Sequence, residues 1–281
     1  MSDATIRIFS DLHFLEGSCR VQAPAQLRPL LDGADSVILN GDTLDTQNAD
    51  STQTVTGELK AFFAAHAPTT FITGNHDPDI SRTHELSLAE GRIWITHGDV
   101  LFDDLTPWSR DRPEILRRLR KAYAQTPTIE HARLETRLRI FRQISLGLPR
   151  RFDAKSRGIR SMGIRFWHVL FPPRYPIAML HSWLAAPRRA ADLAAAQRPR
   201  ARVIINGHTH HPGLWHQPDG RIVINTGSFC APLAGQAVEF LHGERLRLRP
   251  IVMQAGEFRL GRATAEFPLA GQVAQPLNIQ P

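Results

Sequence analysis

Five short stretches of this chain share one arrangement, in which an apolar run ends in residue types that commonly bind metal ions. They are Asp11-Leu12-His13, Gly41-Asp42, Gly74-Asn75-His76-Asp77, His97-Gly98-Asp99 and Gly207-His208-Thr209-His210. In open α/β sheets, ligands bind at the carboxyl ends of the strands. A single His-x-His pair is weak evidence for a metal site, because surface histidines are common. Five such stretches in one chain predict a metal site at the edge of a sheet.

The apolar runs themselves predict the strands of an α/β fold. Six runs are rich in β-branched residues, at 5–9, 36–40, 70–73, 92–96, 202–206 and 221–224. Helical patterns at 24–32 and 57–66 lie between them, and a hairpin is expected at 236–250 with its turn at His242-Gly243. Continuously apolar strands are typical of sheets that are covered on both faces.

The five stretches supply carboxylate oxygens, an amide oxygen and imidazole nitrogens. The seven candidate ligands are Asp11, His13, Asp42, Asn75, His97, His208 and His210. Mixed nitrogen and oxygen ligands suit Mn, Fe or Zn, and they do not suit a Cys-rich structural zinc site. Seven ligands are too many for one small ion. They suit two divalent ions about 3.5–4 Å apart that share a carboxylate, which is an arrangement typical of phosphoryl-transfer sites.

In type and order, these stretches resemble the motifs of the calcineurin-like metallophosphoesterases. The resemblance covers residues 1–104 and 202–250, and it implies a two-sheet α/β sandwich flanked by helices. It also implies a first ion held by Asp11, His13, Asp42 and His210, and a second ion held by Asp42, Asn75, His97 and His208, with Mn expected before Fe or Zn. His76 and the bridging Asp42 would be the catalytic residues, His76 by contacting phosphate oxygens or protonating the leaving group. Asp77 and Asp99 are expected to orient their neighbours.

Between the fourth and fifth stretches lies a strongly basic segment. Residues 105–202 hold 22 Arg or Lys and 6 Asp or Glu, whereas the rest of the chain holds 12 and 21. Helical patterns occur at 113–125, at 128–146 and from Ile177, the last with an interruption expected near Pro187. We therefore predict a core of residues 1–104 and 202–254, a basic helical insertion at 105–201 and a C-terminal tail at 255–281.

The insertion bears on the substrate, and its interpretation stays open at this point. It could be a solvated cap, or a lid that contacts an anionic and partly apolar partner. Basic amphipathic helices bind anionic membrane surfaces, which would engage residues 113–197. The insertion and the run from His97 to Asp104 are similar to those of UDP-2,3-diacylglucosamine pyrophosphatases, which implies a lipid-linked nucleotide pyrophosphate and lipid A biosynthesis. At His76 the chain instead follows the general family, because this branch often carries Arg there.

Three kinds of function therefore remain: a hydrolase acting on a lipid-linked substrate, a phosphodiesterase acting on nucleic acid or soluble nucleotides, and a non-catalytic scaffold. The full ligand set disfavours the scaffold. Single-strand binding favours aromatics interleaved with basic residues, whereas the aromatics at 166–171 lie among aliphatic residues. No apolar run approaches the roughly 20 residues of a membrane span, and no signal-peptide pattern is seen. The two cysteines suit a reducing compartment, so a cytoplasmic protein, peripheral on the inner face of the membrane, is expected.

Overall fold

Twelve strands form two mixed sheets in the part of the chain described by the computed structural model, which covers residues 4–16, 18–46, 52–148 and 173–269. The strands are β1 (Thr5–Phe9), β2 (Ser36–Asn40), β3 (Thr69–Ile72), β4 (Glu85–Leu88), β5 (Ile93–Thr96), β6 (Val203–Asn206), β7 (Gly213–His216), β8 (Ile222–Asn225), β9 (Gln236–Leu241), β10 (Arg245–Gln254), β11 (Glu257–Leu260) and β12 (Ala265–Pro268). The α-helices are α1 (Thr52–His66), α2 (Arg112–Ala124), α3 (Leu134–Leu146) and α4 (Arg174–Gln197). Short 3-10 helices occur at Pro24–Leu30, Ala89–Gly91, Asp99–Leu101 and Thr128–Glu130.

Each sheet combines a run of three parallel strands with antiparallel strands. The first sheet has the order β11-β10-β9-β1-β2-β3, with β12 also paired to β10, and β1, β2 and β3 are parallel. The second sheet has the order β4-β5-β6-β8-β7, and β5, β6 and β8 are parallel. Parallel strands end at the same edge of a sheet, so the polar stretches that follow them meet there. The predicted α/β sandwich is confirmed.

The two sheets pack face to face over an aliphatic core. Ile8 and Ile38 from the first sheet meet Ile95 and Ile205 from the second, and all four side chains are buried. The opposite face of the first sheet, with Phe9 among its buried side chains, is covered by α1 and the 3-10 helix at Pro24–Leu30. Both faces of these strands are therefore covered, which explains why their sequences are mostly apolar on both faces. Arg7 in β1 is the exception, and its buried guanidinium is paired with Glu239 in β9 at 2.8 Å.

The helices of the basic insertion cover the outer face of the second sheet. Trp94, Ile204 and Val223 of that sheet share one buried cluster with side chains of α2, α3 and α4. The α4 face in this cluster consists of small residues, Ala186, Ala190, Ala191 and Ala194. The described part of the insertion is thus a layer of the sandwich, with its charges on the outside and its apolar face in a shared core.

The structure differs from the sequence predictions in three main places. The helix predicted at 128–146 is divided into the 3-10 helix Thr128–Glu130 and α3, which begins at Leu134. Helix α4 runs unbroken through Pro187, which is itself buried, so the predicted interruption is wrong. A proline inside a helix removes one hydrogen bond and costs about 3 kcal/mol, and the buried alanine face of α4 offsets that cost by packing on the second sheet. Strands β11 and β12 pair with β10, so residues 257–268 belong to the first sheet and not to a loosely packed tail.

Two predicted features lie outside the described residues: the aromatic run at 166–171 and the last part of the tail, residues 270–281. Among the helices in the described ranges, none combines the length and apolarity that crossing a bilayer requires.

Candidate metal centre

All seven predicted ligands lie together at the strand ends between the two sheets. Asp11 and His13 follow β1, Asp42 follows β2 and Asn75 follows β3, all in the first sheet. From the second sheet, His97 follows β5, and His208 and His210 follow β6. The loops are tied directly to one another, since the Asp11 N–H donates to the Gly41 carbonyl at 3.1 Å and the His13 N–H donates to the Asp42 carbonyl at 2.9 Å.

Five of the seven predicted ligands have a left-handed backbone, which L-residues rarely adopt. The φ angles are 55° at Asp11, 50° at His13, 48° at Asp42, 66° at His208 and 58° at His210. Such a conformation costs roughly 1–2 kcal/mol per residue, and strain of this kind clusters at functional sites. The strained backbone at these five positions directs their side chains toward one point.

Two glycines allow the backbone to approach the carboxylates closely. A Cβ atom on Gly74 would collide with Asp42 Oδ1, and a Cβ atom on Gly207 would collide with Asp11 Oδ2. Neither glycine has a positive φ, so the requirement at both positions is space and not conformation. The sequence signal, glycine immediately before a ligand, therefore has a steric origin here.

The first group of ligands comprises Asp11, His13, Asp42 and His210. His13 Nε2 lies 3.0 Å from His210 Nε2, and His210 Nε2 lies 3.2 Å from Asp11 Oδ1. Asp42 Oδ2 is 3.6 Å from His13 Nε2. Two ring nitrogens and two carboxylates thus face one another, as a set of ligands around a single cation would.

The second group shares Asp42 with the first. Asp42 Oδ2, which faces His13, also lies 3.3 Å from His97 Nε2, and His97 Nε2 is 3.3 Å from Asn75 Oδ1. Ligand atoms of Asp42, His97 and His208 all fall within 4.8 Å of one another. One carboxylate oxygen therefore faces both groups, which is the position that a bridging ligand requires.

Two histidines of the second group are oriented by backbone carbonyls. His97 Nδ1 lies 3.0 Å from the Asn40 carbonyl, and His208 Nε2 lies 2.9 Å from the Leu105 carbonyl. In a neutral ring the nitrogen that faces a carbonyl carries the proton, so neutral His97 and His208 would offer Nε2 and Nδ1, respectively, to a metal ion. Metal-binding histidines commonly have this second interaction, which fixes the tautomer and the ring orientation. The residues present fit two divalent ions.

The electrostatics of the buried centre lead to the same conclusion. Burial opposes ionisation of Asp42, but His97 and His76 outweigh it and hold the Asp42 pKa well below its usual range. Burial likewise opposes a charge on His97, but Asp42 raises the His97 pKa well above its usual range. Burial and the neighbouring His97 lower the pKa of His208 to about 3. Without metal, protons on His97 and its neighbours balance the buried carboxylates, and divalent ions would take over that role.

His76 lies at the open side of the first group. Its side chain is 36% exposed, its ring centroid is 4.8 Å from that of His13, and its Nδ1 lies 3.6 Å from Asp45 Oδ2. Burial opposes a charge on the ring, but the Asp42 and Asp45 carboxylates outweigh it and raise the pKa of His76 to about 10. The residue predicted to act on phosphate oxygens or on the leaving group is thus a proton-bearing imidazole within reach of solvent.

Asp77 holds two of the ligand loops in place. Its Oδ1 accepts N–H bonds from Asp42 at 3.0 Å and from Gly74 at 2.8 Å, and its Oδ2 accepts from Thr43 at 2.7 Å. The expectation that Asp77 orients its neighbours is confirmed. Asp99 accepts an N–H bond from Val100 at 2.9 Å, at the start of the 3-10 helix Asp99–Leu101.

Two contributors come from the predicted insertion, and sequence reasoning missed both. Leu105 offers only its backbone carbonyl to His208, so its side chain gives no signal. Trp183 on α4 donates its indole N–H to the Thr209 carbonyl at 2.7 Å, and its ring stacks on that of His211 with centroids 4.8 Å apart. The insertion therefore helps to shape the loop that carries His208 and His210.

The sequence profile described as calcineurin-like phosphoesterase matches residues 4–212. The chain belongs to the calcineurin-like phosphoesterases, a family that typically binds two divalent metals. The predicted resemblance to the family is confirmed. Membership of the UDP-2,3-diacylglucosamine pyrophosphatase branch, metal binding by the seven residues and a catalytic role of His76 stay predictions.

Among solved structures, the chain is similar to vacuolar protein sorting 29 from Cryptosporidium parvum, with 13% identity, a TM-score of 0.43 and coverage of 94% of this chain and 98% of that one. It is also similar to a dimetal phosphatase from Danio rerio, with 11% identity, a TM-score of 0.43 and coverage of 89% and 96%. A purple acid phosphatase from yellow lupin gives 10% identity, a TM-score of 0.39 and coverage of 94% and 53%. These scores are too low to support a conclusion about activity. No curated protein sequence matches significantly.

Proposed function

We propose that this protein is a dinuclear-metal-dependent hydrolase that cleaves the phosphoanhydride of a lipid-linked nucleotide such as UDP-2,3-diacylglucosamine. The observation that carries the proposal is the position of Asp42, whose Oδ2 faces His13 at 3.6 Å and His97 at 3.3 Å. When bound there, two divalent ions supply positive charge to the phosphate oxygens and activate water. Support for the lipid comes from a groove beside the centre.

The groove has a volume of about 1320 Å³ and lies between the start of α2, residues 102–109 and residues 174–192 of α4. Its lining holds apolar side chains, among them Leu116, Ile177 and Leu184, and the guanidinium groups of Arg112, Arg174, Arg188 and Arg189, together with the carboxylates of Asp103, Asp104 and Asp192. Arg112 is paired with Asp104 and Arg188 with Asp192, which leaves Arg174 and Arg189 without a carboxylate partner from this lining. Ile177 is 54% exposed and Leu184 is 73% exposed. Arginine binds phosphate through paired hydrogen bonds, and an exposed apolar surface favours acyl chains. An anionic amphiphile satisfies both.

The groove adjoins the metal centre through two residues. Phe102 lines the groove, and its ring centroid lies 5.9 Å from that of His208. Ser182 lines the groove beside Trp183, which hydrogen-bonds the Thr209 carbonyl. A substrate whose acyl chains lie along α4 would therefore place its phosphates near the ligand loop.

The residues of this chain divide the remaining work of the reaction. His76, with its side chain 36% exposed at the rim, would donate a proton to the departing phosphate oxygen. Asp77 keeps the Asp42 and Gly74 loops together through its amide hydrogen bonds. The Trp183 contact holds the backbone between His208 and His210.

The substrate is tested by comparing UDP-diacylglucosamine in mixed micelles with soluble UDP-N-acetylglucosamine, using Mn-loaded protein. We expect UMP from the lipid substrate only. Leu184→Asp should lower that rate by about 10- to 100-fold, because a buried apolar contact is worth about 1.5–3 kcal/mol. Ile129→Asp is the matched control, since Ile129 is 81% exposed and lies outside the groove. Turnover of neither substrate, with cleavage of an aryl phosphodiester or of single-stranded DNA, would instead favour the nucleotide or nucleic-acid alternative.

Peripheral binding to the inner face of the membrane is the second part of the proposal, and flotation with anionic and neutral liposomes tests it. Because α2, α3 and α4 share a core with the second sheet, deleting 113–197 would disrupt the fold, so charge variants are the better probe. Arg188 is highly exposed at the groove. Arg188→Glu should weaken flotation with anionic vesicles alone. Equal binding to both vesicle types would count against an anionic surface as the partner.

A further inference from the structure

The only two cysteines of the chain face each other across two segments that are remote in sequence. Cys19 and Cys230 form an antiparallel bridge. The Arg20 N–H donates to the Phe229 carbonyl at 3.0 Å, and the Ala231 N–H donates to the Ser18 carbonyl at 3.2 Å. The hydrogen bonds thus come from the residues on either side, which makes the cysteines a non-hydrogen-bonded pair.

That geometry suits a disulfide. In a non-hydrogen-bonded antiparallel pair the Cα atoms are about 4.5 Å apart and the side chains lie on the same face. Disulfides need Cα atoms about 4.4–6.8 Å apart. Both residues carry thiols in the structure, and Cys19 is partly exposed whereas Cys230 is 5% exposed. Two side chains on one face of a bridge can therefore join without a change of backbone pairing.

The pair lies directly beside the first group of predicted ligands. Cys230 Sγ is 3.8 Å from Glu16 Oε2, and Glu16 Oε2 is 3.2 Å from His13 Nδ1. Ligand atoms of Cys230, His13 and His210 fall within 4.8 Å of one another. The backbone is coupled as well, because the Phe229 N–H donates to the Asp11 carbonyl at 3.0 Å. A bond between the two sulfurs would tie the segment after His13 to the segment around Phe229.

We propose that Cys19 and Cys230 are a thiol-oxidation site that closes as a disulfide on reaction with hydrogen peroxide and braces the loop carrying Asp11 and His13. The more exposed Cys19 reacts first: its sulfur attacks one peroxide oxygen, the O–O bond breaks, and Cys19 sulfenic acid and water form. The Cys230 sulfur then attacks the Cys19 sulfur, the S–O bond breaks, and a second water leaves with the Cys230 proton. Two thiols and one peroxide thus give one disulfide and two waters.

The order of the two steps follows from exposure. Peroxide reaches a partly exposed sulfur such as that of Cys19 more readily than the buried sulfur of Cys230. Cys230 therefore acts second, when the sulfenic acid is already beside it.

The test uses the full chain loaded with zinc, because zinc has no redox chemistry of its own. After hydrogen peroxide treatment, peptide mapping should show Cys19 joined to Cys230 within one molecule. In Cys230→Ser the Cys19 sulfenic acid should be trapped by dimedone, and Cys19→Ser should give little dimedone adduct. Both thiols still open to alkylation after treatment, or a bond only between molecules, would overturn the proposal.

The bracing of the Asp11–His13 loop is tested separately, by comparing the reduced and the oxidised wild-type protein, so that both states have the same sequence. The oxidised protein should melt several degrees higher than the reduced protein and should lose zinc to a chelator more slowly, because the cross-link restricts opening of the segment that follows His13. Cys19→Ser treated with peroxide should change in neither respect. A disulfide that forms but lowers the melting temperature or speeds metal loss would contradict the bracing.

Discussion

The two halves of the metal centre differ in how firmly the fold holds them. In the second half, His97 and His208 are almost fully buried, and each has one ring nitrogen committed to a backbone carbonyl. In the first half, His13 and His210 face each other at 3.0 Å, and the His210 side chain is 25% exposed. One half is anchored in the sandwich, and the other opens toward solvent and His76.

This difference indicates a division of labour between the two positions. An ion at the second position would be enclosed by ligands whose orientation the core dictates. An ion at the first position would lie where substrate and water arrive, beside the proton-bearing His76 and the thiol of Cys230. Asp42 belongs to both halves, so variants can separate what is shared from what is specific to one half.

The largest effect is expected for Asp42→Ala, which removes the carboxylate that faces both halves. Hydrolysis should fall by roughly a thousandfold, because the charge stabilisation that metal ions supply amounts to several kcal/mol. Metal analysis of the purified variant should show both ions reduced. Asp32→Ala, at an exposed carboxylate, should retain metal and activity. An Asp42→Ala protein with full metal content would refute the bridging position.

The next largest effect is expected in metal binding, where His97→Ala and His210→Ala should differ. His97→Ala should lose one ion entirely, because no solvent reaches the buried position to replace the imidazole. His210→Ala should keep both ions with an affinity weakened about 10- to 100-fold, as when a supporting group is lost, since water can enter at the exposed rim. Metal titrations of the two variants measure this. Equal loss of metal affinity in the two variants would show that the fold holds the two halves of the centre equally firmly.

A smaller effect is expected for Trp183→Phe, which removes the indole N–H donated to the Thr209 carbonyl but keeps a ring against His211. Activity should fall about tenfold, at the lower end of the range for groups that orient ligands. Metal affinity should fall with it, which a purely structural role of α4 would not produce. Trp215→Phe is the comparison, because Trp215 also contacts His211 but lies outside the 208–210 loop, and its effect should be smaller.

The smallest expected effect is a dependence of stability and of metal binding on pH. Burial opposes charging of His13 and His97, yet the Asp11 and Asp42 carboxylates raise both pKa values in the metal-free protein. The stability that these protonated histidines contribute is therefore fully present below pH of about 6.5 and is lost as pH rises through the raised values. Metal binding needs neutral imidazoles, so metal uptake near pH 7 should release protons and tighten as pH rises. Calorimetry in two buffers of different ionisation enthalpy measures this, and uptake without proton release would contradict it.

The sequence was most informative where side chains carry the signal. Strands β2, β5, β6 and β8 are almost wholly buried, and these strands, like β1 and β3, each end in a polar stretch or a turn, so both the sheets and the meeting of the ligands could be predicted. Edge strands β4 and β7 are only half-buried and their mixed composition does not distinguish them from loops. The unbroken course of α4 through Pro187 depends on packing against the second sheet, which local propensity does not record.

Other features of the centre leave little or no trace in the sequence. The left-handed backbone at Asp11, Asp42 and three histidines is a property of the loops, since L-residues of any type disfavour it. The Leu105 and Asn40 carbonyls orient His208 and His97 through atoms that every residue possesses. The pairing of Cys19 with Cys230 depends on the position of the two loops, so two cysteines far apart in sequence predict no contact.

The most direct test of the account is anomalous diffraction from crystals of the Mn-loaded protein. We expect two manganese ions about 3.5–4 Å apart, as in other two-metal sites, with Asp42 bridging them. Asp11, His13 and His210 should bind one ion, and Asn75, His97 and His208 the other. A single ion, or two ions without Asp42 between them, would contradict the central claim that one carboxylate joins an anchored half to an open one.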